Sequence, residues 1–460
     1  MLMSIYRGLT TLATPLLLRK LHRRGRSEPL YLHAIPQRFG RYTVEEQQLA
    51  RAHAGQWVWI HAVSLGETRA AGLLLAAIRA AQPDVHVLLT HGTATGRQEG
   101  MRLLQPGDMQ VWLPWDAPGP VRRFLELFRP RVGLLMETEM WPELLAQSRR
   151  HGVPMALVNA RVNDRTFRRS LRLRGLAFAG YGGLAVAYAQ TAQDARRLRA
   201  LHAPEVRVTG NLKFDVRPDE ALSAAGHAWR EQLEMQGPVC MLASSREGEE
   251  KLFLDALAAL PSDAQHGVHW MLVPRHPQRF DAVAAEARAA GWEVRRRSQW
   301  GQVVHSVPSE APRPVLWLGD SMGEMQMYYA MADLVLMGGS FAPLGGQNLI
   351  EACACGCAVL VGPHTFNFAE ASEQAVAAGA ARRCADMSVA VHGAMELLQP
   401  GGSAPLSPEL LAMREAARVF GAEHGGAGQA VVADMLHRGW LVSEGDAPHG
   451  ASGNVQSELV

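Results

Sequence analysis

Short, continuous apolar runs alternate with helix-patterned segments along most of this chain, and that alternation restricts it to one kind of architecture. The runs at 57–63, 85–90, 111–113, 132–136, 155–158 and 184–189 are apolar at nearly every position, not at every second one. A strand with one wet face would alternate. Continuous runs belong to a sheet covered on both faces, and such sheets are parallel. The stretch 68–81, rich in Ala and Leu, reads as the helix after the first strand. Repetition of this kind gives a doubly wound, Rossmann-like α/β domain. The pattern pauses between Lys213 and Pro238, where Pro218 and Gly237 mark a linker. It resumes at 239–243, 269–273, 315–318, 334–337 and 358–361. A second domain of the same class is therefore expected, as 460 residues also exceed one ordinary core. Two such domains facing across a cleft would open the carboxyl ends of both sheets onto it. The expected divisions are an N-terminal segment 1–26, a first domain 27–215, a second domain 216–440 and a disordered tail 441–460.

Charge excludes some roles. The net charge of +2 does not announce a nucleic-acid binder, and no nucleic-acid partner is expected. The basic residues are uneven, however. Arg19, Lys20, Arg23, Arg24 and Arg26 crowd the end of an apolar stretch that begins at the N-terminus. A secretory signal would carry its charges first. Arg7 and Pro15 interrupt the run, which is marginal for a full span. An uncleaved anchor or interfacial membrane helix is expected, with the body of the protein on the cytoplasmic side; a helix docked on the first domain is the plain alternative. Arg165, Arg168, Arg169, Arg172 and Arg174 form a second group. They are either a solvated helix face or a patch for an anionic acceptor or lipid headgroups. Five cysteines make no disulfide framework in a chain this long. Cys353, Cys355 and Cys357 sit among Ala and Gly with no matching His or Cys pair, so they read as small buried residues and no metal site is expected.

The polar motifs follow predicted strands. His61-Ala62-Val63-Ser64-Leu65-Gly66-Glu67 follows the first, and a carboxylate at that strand end can accept a proton from an attacking hydroxyl. A first-turn Glu that favours the helix dipole is the alternative. Met136-Glu137-Thr138-Glu139-Met140-Trp141 ends another strand, and its two carboxylates would share one side of it. Lys213 either neutralises charge on a departing phosphate or pairs with Asp215. In the second half, Pro274-Arg275-His276-Pro277 offers a planar guanidinium fork for a phosphate. Gly319 to Glu324 resembles a nucleotide-binding loop. Gly345-Gly346-Gln347-Asn348-Leu349-Ile350-Glu351 leads from an apolar run into a helix. Two glycines let backbone approach a phosphate, and Asn348 and Glu351, three apart, would share one helix face beside it. A Gly-Gly turn that merely joins strand to helix is the alternative there.

Taken together and in order, these motifs, with Gly210 to Asp215 and Gly362 to Phe368, resemble the 3-deoxy-D-manno-octulosonic acid (Kdo) transferases of lipopolysaccharide synthesis. The resemblance runs from the N-terminal segment to about residue 440. It implies a GT-B fold, CMP-Kdo as donor, lipid IVA (the lipid A precursor) as acceptor, and the cytoplasmic face of the inner membrane as location. By the same resemblance Glu67 is the general base, and Glu137 and Lys213 stabilise the transition state. Pro274, Arg275, Met322, Gly323, Glu324, Asn348, Leu349, Ile350 and Glu351 hold CMP. An inverting transfer is expected, with no cofactor, since Lys213 and Arg275 supply positive charge to a monophosphate leaving group. The family commonly reads Asn-Pro-Leu-Glu at Asn348-Leu349-Ile350-Glu351 and often Thr-Pro-Thr-Gly at Thr93-Ala94-Thr95-Gly96. Both departures remove a proline and keep the polar atoms. Another GT-B enzyme, such as a nucleotide-sugar epimerase, and a non-catalytic nucleotide-binding or membrane scaffold are the rival readings.

Overall fold

The computed structural model of the chain describes residues 2–216, 218–261, 267–301, 313–399 and 406–442. Packing divides it into two units, Met1–Asp215 with Gly426–Val460, and Val216–Gly425. In the first unit, strands β1 (Val58–Ala62), β2 (Val87–His91), β3 (Met109–Trp112), β4 (Val132–Met136), β5 (Met155–Ala160), β6 (Val186–Ala189) and β7 (Val206–Val208) form one sheet. Its order is β3-β2-β1-β4-β5-β6-β7, and every pairing is parallel. Alternate residues of each strand enter opposite cores. Trp59, Leu88, Val111, Leu135 and Leu157 pack with Phe124 and Phe128 on one face. Val58, Ile60, Leu89, Leu134 and Val158 pack with Leu74 and Ile78 on the other. Both faces are dry, which is why the strands read as unbroken apolar runs.

The second unit repeats the scheme. Strands β8 (Val239–Ser245), β9 (His269–Pro274), β10 (Glu293–Arg296), β11 (Val315–Leu318), β12 (Leu334–Met337), β13 (Ala358–Val361) and β14 (Ala381–Arg383) pair in the order β10-β11-β9-β8-β12-β13-β14, again all parallel. Strands β7, β10 and β14 have no counterpart among the predicted runs. All three are sheet edges. With sequences Val-Arg-Val, Glu-Val-Arg-Arg and Ala-Arg-Arg they carry the charges that an edge tolerates and a central strand does not.

The N-terminal segment is not one continuous apolar helix. It forms two, Leu2–Leu12 and Thr14–Gly25, and among the described residues no helix is long and apolar enough to cross a membrane. The first docks on its own unit through polar groups. The Tyr6 hydroxyl donates to Asp116 at 2.6 Å, and Arg7 pairs with the buried Glu143 at 2.7 Å.

One expected boundary needs correction. The second domain was placed at 216–440, but the helix Ala427–His437 belongs to the first unit. It packs against the helix Leu65–Ala81, burying Val431 and Met435 beside Leu74 and Ile78. Leu441, assigned from sequence to the tail, is also buried in that core; the tail from 443 onward lies outside the described residues. The returning helix is capped by Asp215, whose carboxylate accepts the N–H groups of Gly426, Ala427 and Gly428 at 2.7, 2.9 and 2.5 Å. Three otherwise orphaned amides thus depend on one side chain. Asp215→Ala should destabilise the first unit by about 1–2 kcal/mol, the usual worth of such a cap. Urea unfolding followed by circular dichroism measures it, and an unchanged midpoint would contradict the assignment.

Candidate active site

In open α/β sheets ligands bind outside the carboxyl ends of the strands, where the strand order reverses. In the first unit that point lies between β1 and β4, and the predicted acidic residues flank it. The loop after β1 enters the helix Leu65–Ala81, three residues earlier than the sequence pattern suggests, because Ser64 is its N-cap. Glu67 lies in the first turn. Its backbone N–H reaches Ser64 Oγ at 3.4 Å. Its carboxylate accepts the Ser64 hydroxyl and the Val63 N–H, each at 2.8 Å. The first-turn position that the helix-dipole reading of Glu67 requires is therefore met. Its proton affinity is nonetheless altered: burial raises its pKa, the Val63 and Ser64 hydrogen bonds oppose this, and the charge of Glu137 adds to the rise. A carboxylate so placed is a stronger base than an exposed one.

The loop after β4 differs from expectation. Strand β4 stops at Met136 because Glu137 takes a left-handed conformation, φ 58°. Glu137 and Glu139 are consequently not two like-facing residues of a strand. Left-handed backbone at a residue with a side chain stores strain and needs surroundings that hold it. Here the Glu137 N–H donates to Val158 O at 2.8 Å, and its carbonyl accepts from Arg161 at 3.4 Å. The Glu137 carboxylate lies 3.9 Å from Lys213 Nζ. Lys213 therefore faces Glu137, while Asp215 is occupied with the returning helix, so the expected alternative of a Lys213–Asp215 pair does not hold. Glu139, named above only as half of a pair, is strongly perturbed. Burial, and next the charge of Glu67, push it up to about 7. The Glu-x-Glu spacing was the available signal.

In the second unit the order reverses between β8 and β12. The expected donor-binding residues lie at the end of β9, in the loop after β11 and at the start of the helix that follows β12. Pro274 is the buried last residue of β9 and Arg275, half-buried, follows it. The Arg275 N–H donates to Ser245 O at 3.0 Å, tying this end to β8. After β11, Met322 is exposed and Gly323 has φ 81° with open space around it. Glu324 is held by Arg297 at 2.8 Å and by the Ser321 hydroxyl. Gly345 and Gly346, at φ 92° and 79°, adopt backbone that favours glycine. The helix after them spans Leu349–Ala354. Asn348 is thus its N-cap, accepting from the Ile350 N–H at 3.2 Å, and Glu351 lies in the first turn. Glu351 is half-buried, receives Gln326 Nε2 at 3.2 Å, and has its pKa raised by burial, with the nearby Arg275 acting in the opposite direction.

A residue in the Ser-rich turn Ala243 to Glu249, for which the sequence suggests no particular role, organises these loops. Glu249 is fully buried and accepts the N–H groups of Arg246, Gly339, Phe341 and Ala342 at 2.6–3.2 Å. It joins the loops after β8 and β12 at the switch point. Cys353 and Cys357 are buried and Cys355 is half-buried; burial pushes the Cys353 and Cys355 thiols up to about 12, so all are poor nucleophiles.

Two parallel-sheet α/β units with their polar residues gathered at the switch points are the layout of the GT-B fold. A UDP-GlcNAc 2-epimerase structure from Neisseria meningitidis has the same fold, with a TM-score of 0.50 at 15% identity, covering 83% of this chain and 100% of that one. The family model described as 3-deoxy-D-manno-octulosonic-acid transferase (kdotransferase) matches residues 33–216. A 3-deoxy-D-manno-octulosonic acid transferase from Bordetella pertussis is 46% identical over 428 residues, 92% of this chain and 95% of that protein. One from Haemophilus influenzae is 29% identical over 79% of this chain and 83% of its own length. The chain belongs to the Kdo transferase family and is a glycosyltransferase.

The Glu139 environment has a measurable consequence. Its proton leaves the unfolded chain near pH 4.3, an ordinary glutamate value of about that size, but leaves the native state only near 7. Between these the native state binds more protons, so stability falls as pH rises through that window. Glu139→Gln, which stays neutral, should melt above the parent protein at pH 8, and the gap should close by pH 4. Melting below the parent at pH 8 would show that the ionised carboxylate is instead stabilised.

Proposed function

We propose that this transferase moves Kdo from CMP-Kdo to lipid IVA with inversion at the anomeric carbon. The observation that carries the reading is Glu67 at the β1/β4 switch point, buried enough to be a strengthened base, beside the Glu137–Lys213 pair. Each Glu67 oxygen accepts one hydrogen bond and keeps a lone pair for a proton. Glu67 deprotonates a glucosamine hydroxyl of the acceptor. The freed oxygen bonds to the anomeric carbon of Kdo as the bond to the CMP phosphate oxygen breaks, and that electron pair leaves with CMP. Glu137 stabilises positive charge developing on the sugar, and Lys213 the negative charge developing on the phosphate. Family membership supports the donor, as do the strand-end residues of the second unit. Arg275 takes the phosphate, Pro274 packs beside it, and the open Met322-Gly323 backbone, Glu324 and the Asn348-Leu349-Ile350-Glu351 turn hold the nucleotide.

Glu67→Gln keeps the side chain's shape and one of its two acceptor oxygens and removes the base. Turnover should fall by a factor on the order of 10²–10⁴ while CMP-Kdo binding persists. Mass spectrometry of the lipid after incubation with CMP-Kdo and lipid IVA, together with calorimetric titration of the donor, reads both. Turnover like that of the parent protein would remove Glu67 from the role.

We further propose that the protein sits on the cytoplasmic face of the inner membrane through its N-terminal helices. Leu2, Ile5, Leu9, Leu12 and Leu16 recur at intervals of three and four and are 49–78% exposed, whereas Tyr6 and Arg7 turn toward the protein. Arg19, Lys20 and Arg23 are exposed directly after this stripe, and Arg165, Arg168, Arg169, Arg172 and Arg174 are exposed in the neighbouring helical segment. An apolar stripe bordered by cations is the pattern of a helix lying in an anionic interface. Replacing Leu9 and Leu16 together by Glu should weaken co-sedimentation with phosphatidylglycerol vesicles by on the order of tenfold or more. Unchanged partitioning would argue against this attachment.

A further inference from the structure

A cavity of about 350 Å³ lies in the first unit between the N-terminal helix pair and the loops after β1, β2 and β3. Leu17, Leu21, Leu113 and Pro114 give it an apolar wall. Lys20 and Arg24, both exposed, stand on the helix side, and Arg38 lies in the opposite wall. Arg38 is the unusual member. It is 6% exposed and its Nε has no hydrogen-bond partner. Its one recorded bond is from Nη2 to Gly92 O at 3.4 Å, and its guanidinium lies over the Trp112 ring, 4.1 Å from the centroid. Among the described residues it has no carboxylate partner. The nearest acid of the cavity, Asp116, is already engaged by the Tyr6 hydroxyl and the N–H groups of Glu143 and Leu144. Burial, with Arg97 nearby, pushes the Arg38 pKa down to about 10, so it stays charged at neutral pH with no anion beside it among the described residues. A buried, unpaired guanidinium is costly. An anion entering the cavity would remove that cost.

Resting on the transfer reading above, we propose that this cavity is the acceptor's headgroup subsite, in which Arg38, with Lys20 and Arg24 at the rim, binds a phosphate monoester of the lipid. The cavity also touches Val63, whose N–H holds the Glu67 carboxylate, and Trp141 of the Glu137–Glu139 loop. A phosphate seated on Arg38 would set the attached sugar beside the base. The apolar wall would take carbon next to the charged head. The N-terminal helices would thus do more than attach the protein, because they complete the acceptor's binding site.

The test compares lipid IVA with its phosphatase-treated form, using the full chain and its Arg38→Gln and Arg38→Lys variants. Arg38→Gln should raise KM for lipid IVA by about tenfold or more, the usual worth of a charged hydrogen bond. The parent protein should lose a similar factor when the acceptor's phosphates are removed, Arg38→Gln should lose little further, and Arg38→Lys should recover part. KM for CMP-Kdo, measured in parallel, reports an intact fold. Equal impairment of Arg38→Gln on both acceptors would overturn the proposal. If the parent protein transfers no Kdo, the transfer reading fails, and titration with glucosamine 6-phosphate against glucosamine tests the subsite directly: binding that requires both the phosphate and Arg38 upholds it, and its absence overturns it. Phosphatidylglycerol vesicles that displace lipid IVA in an Arg38-dependent manner would assign the site to a bilayer headgroup instead.

Discussion

A parallel sheet buried on both faces leaves chemistry one place to go. The side chains of β1, β2 and β4 fill two apolar cores, so polar groups on these strands would each need an internal partner. His61 shows the cost. It is completely buried, bonded through Nδ1 to Thr90, and burial holds its pKa near 3. It cannot carry a proton at neutral pH. Beyond the carboxyl ends of the strands the restriction lifts. Where the strand order reverses, neighbouring loops leave in opposite directions and expose the first turns of helices. Glu67 and Glu137 flank that point in one unit, and the loops joined by Glu249 occupy it in the other.

The same points concentrate strain. Glu137 and Ser244, which follows Ala243 near the end of β8, have φ of 58° and 53°. Each departs from regular strand geometry next to the switch point. Gly338 makes the matching concession on β12, since a Cβ there would lie 2.5 Å from Ser244 O. Only glycine lets the loops after β8 and β12 approach this closely. Such arrangements persist when many hydrogen bonds over-determine them, and the four amides on Glu249 are such a device.

The central strands were legible because their physics is local: a run buried on both faces is apolar throughout. The edge strands β7, β10 and β14 were not, because half-exposed charged residues read as loop. The motifs could be placed at strand ends, but their internal geometry could not. That Glu137 ends a strand and that Lys213 turns to Glu137 and not Asp215 both depend on contacts distant in sequence. Asp215 is the clearest case. Its three partners lie more than 200 residues along the chain, and nothing around Asp215 announces a returning helix. Arg38 was silent for the same reason, since an arginine between Gln37 and Phe39 gives no hint that its guanidinium is enclosed.

Capping and base catalysis by Glu67 need not compete. A base that is free to rotate must be ordered before each turnover, and ordering a glutamate side chain costs on the order of 1–2 kcal/mol. The Val63 N–H and the Ser64 hydroxyl do that ordering in advance. They also lower the proton affinity they frame, and burial with the neighbouring Glu137 restores it. Glu139 stands differently: burial, and next the charge of Glu67, push it up to about 7. A pair of carboxyls driven to different proton affinities by their surroundings is how one site keeps a base and a neutral neighbour at the same pH.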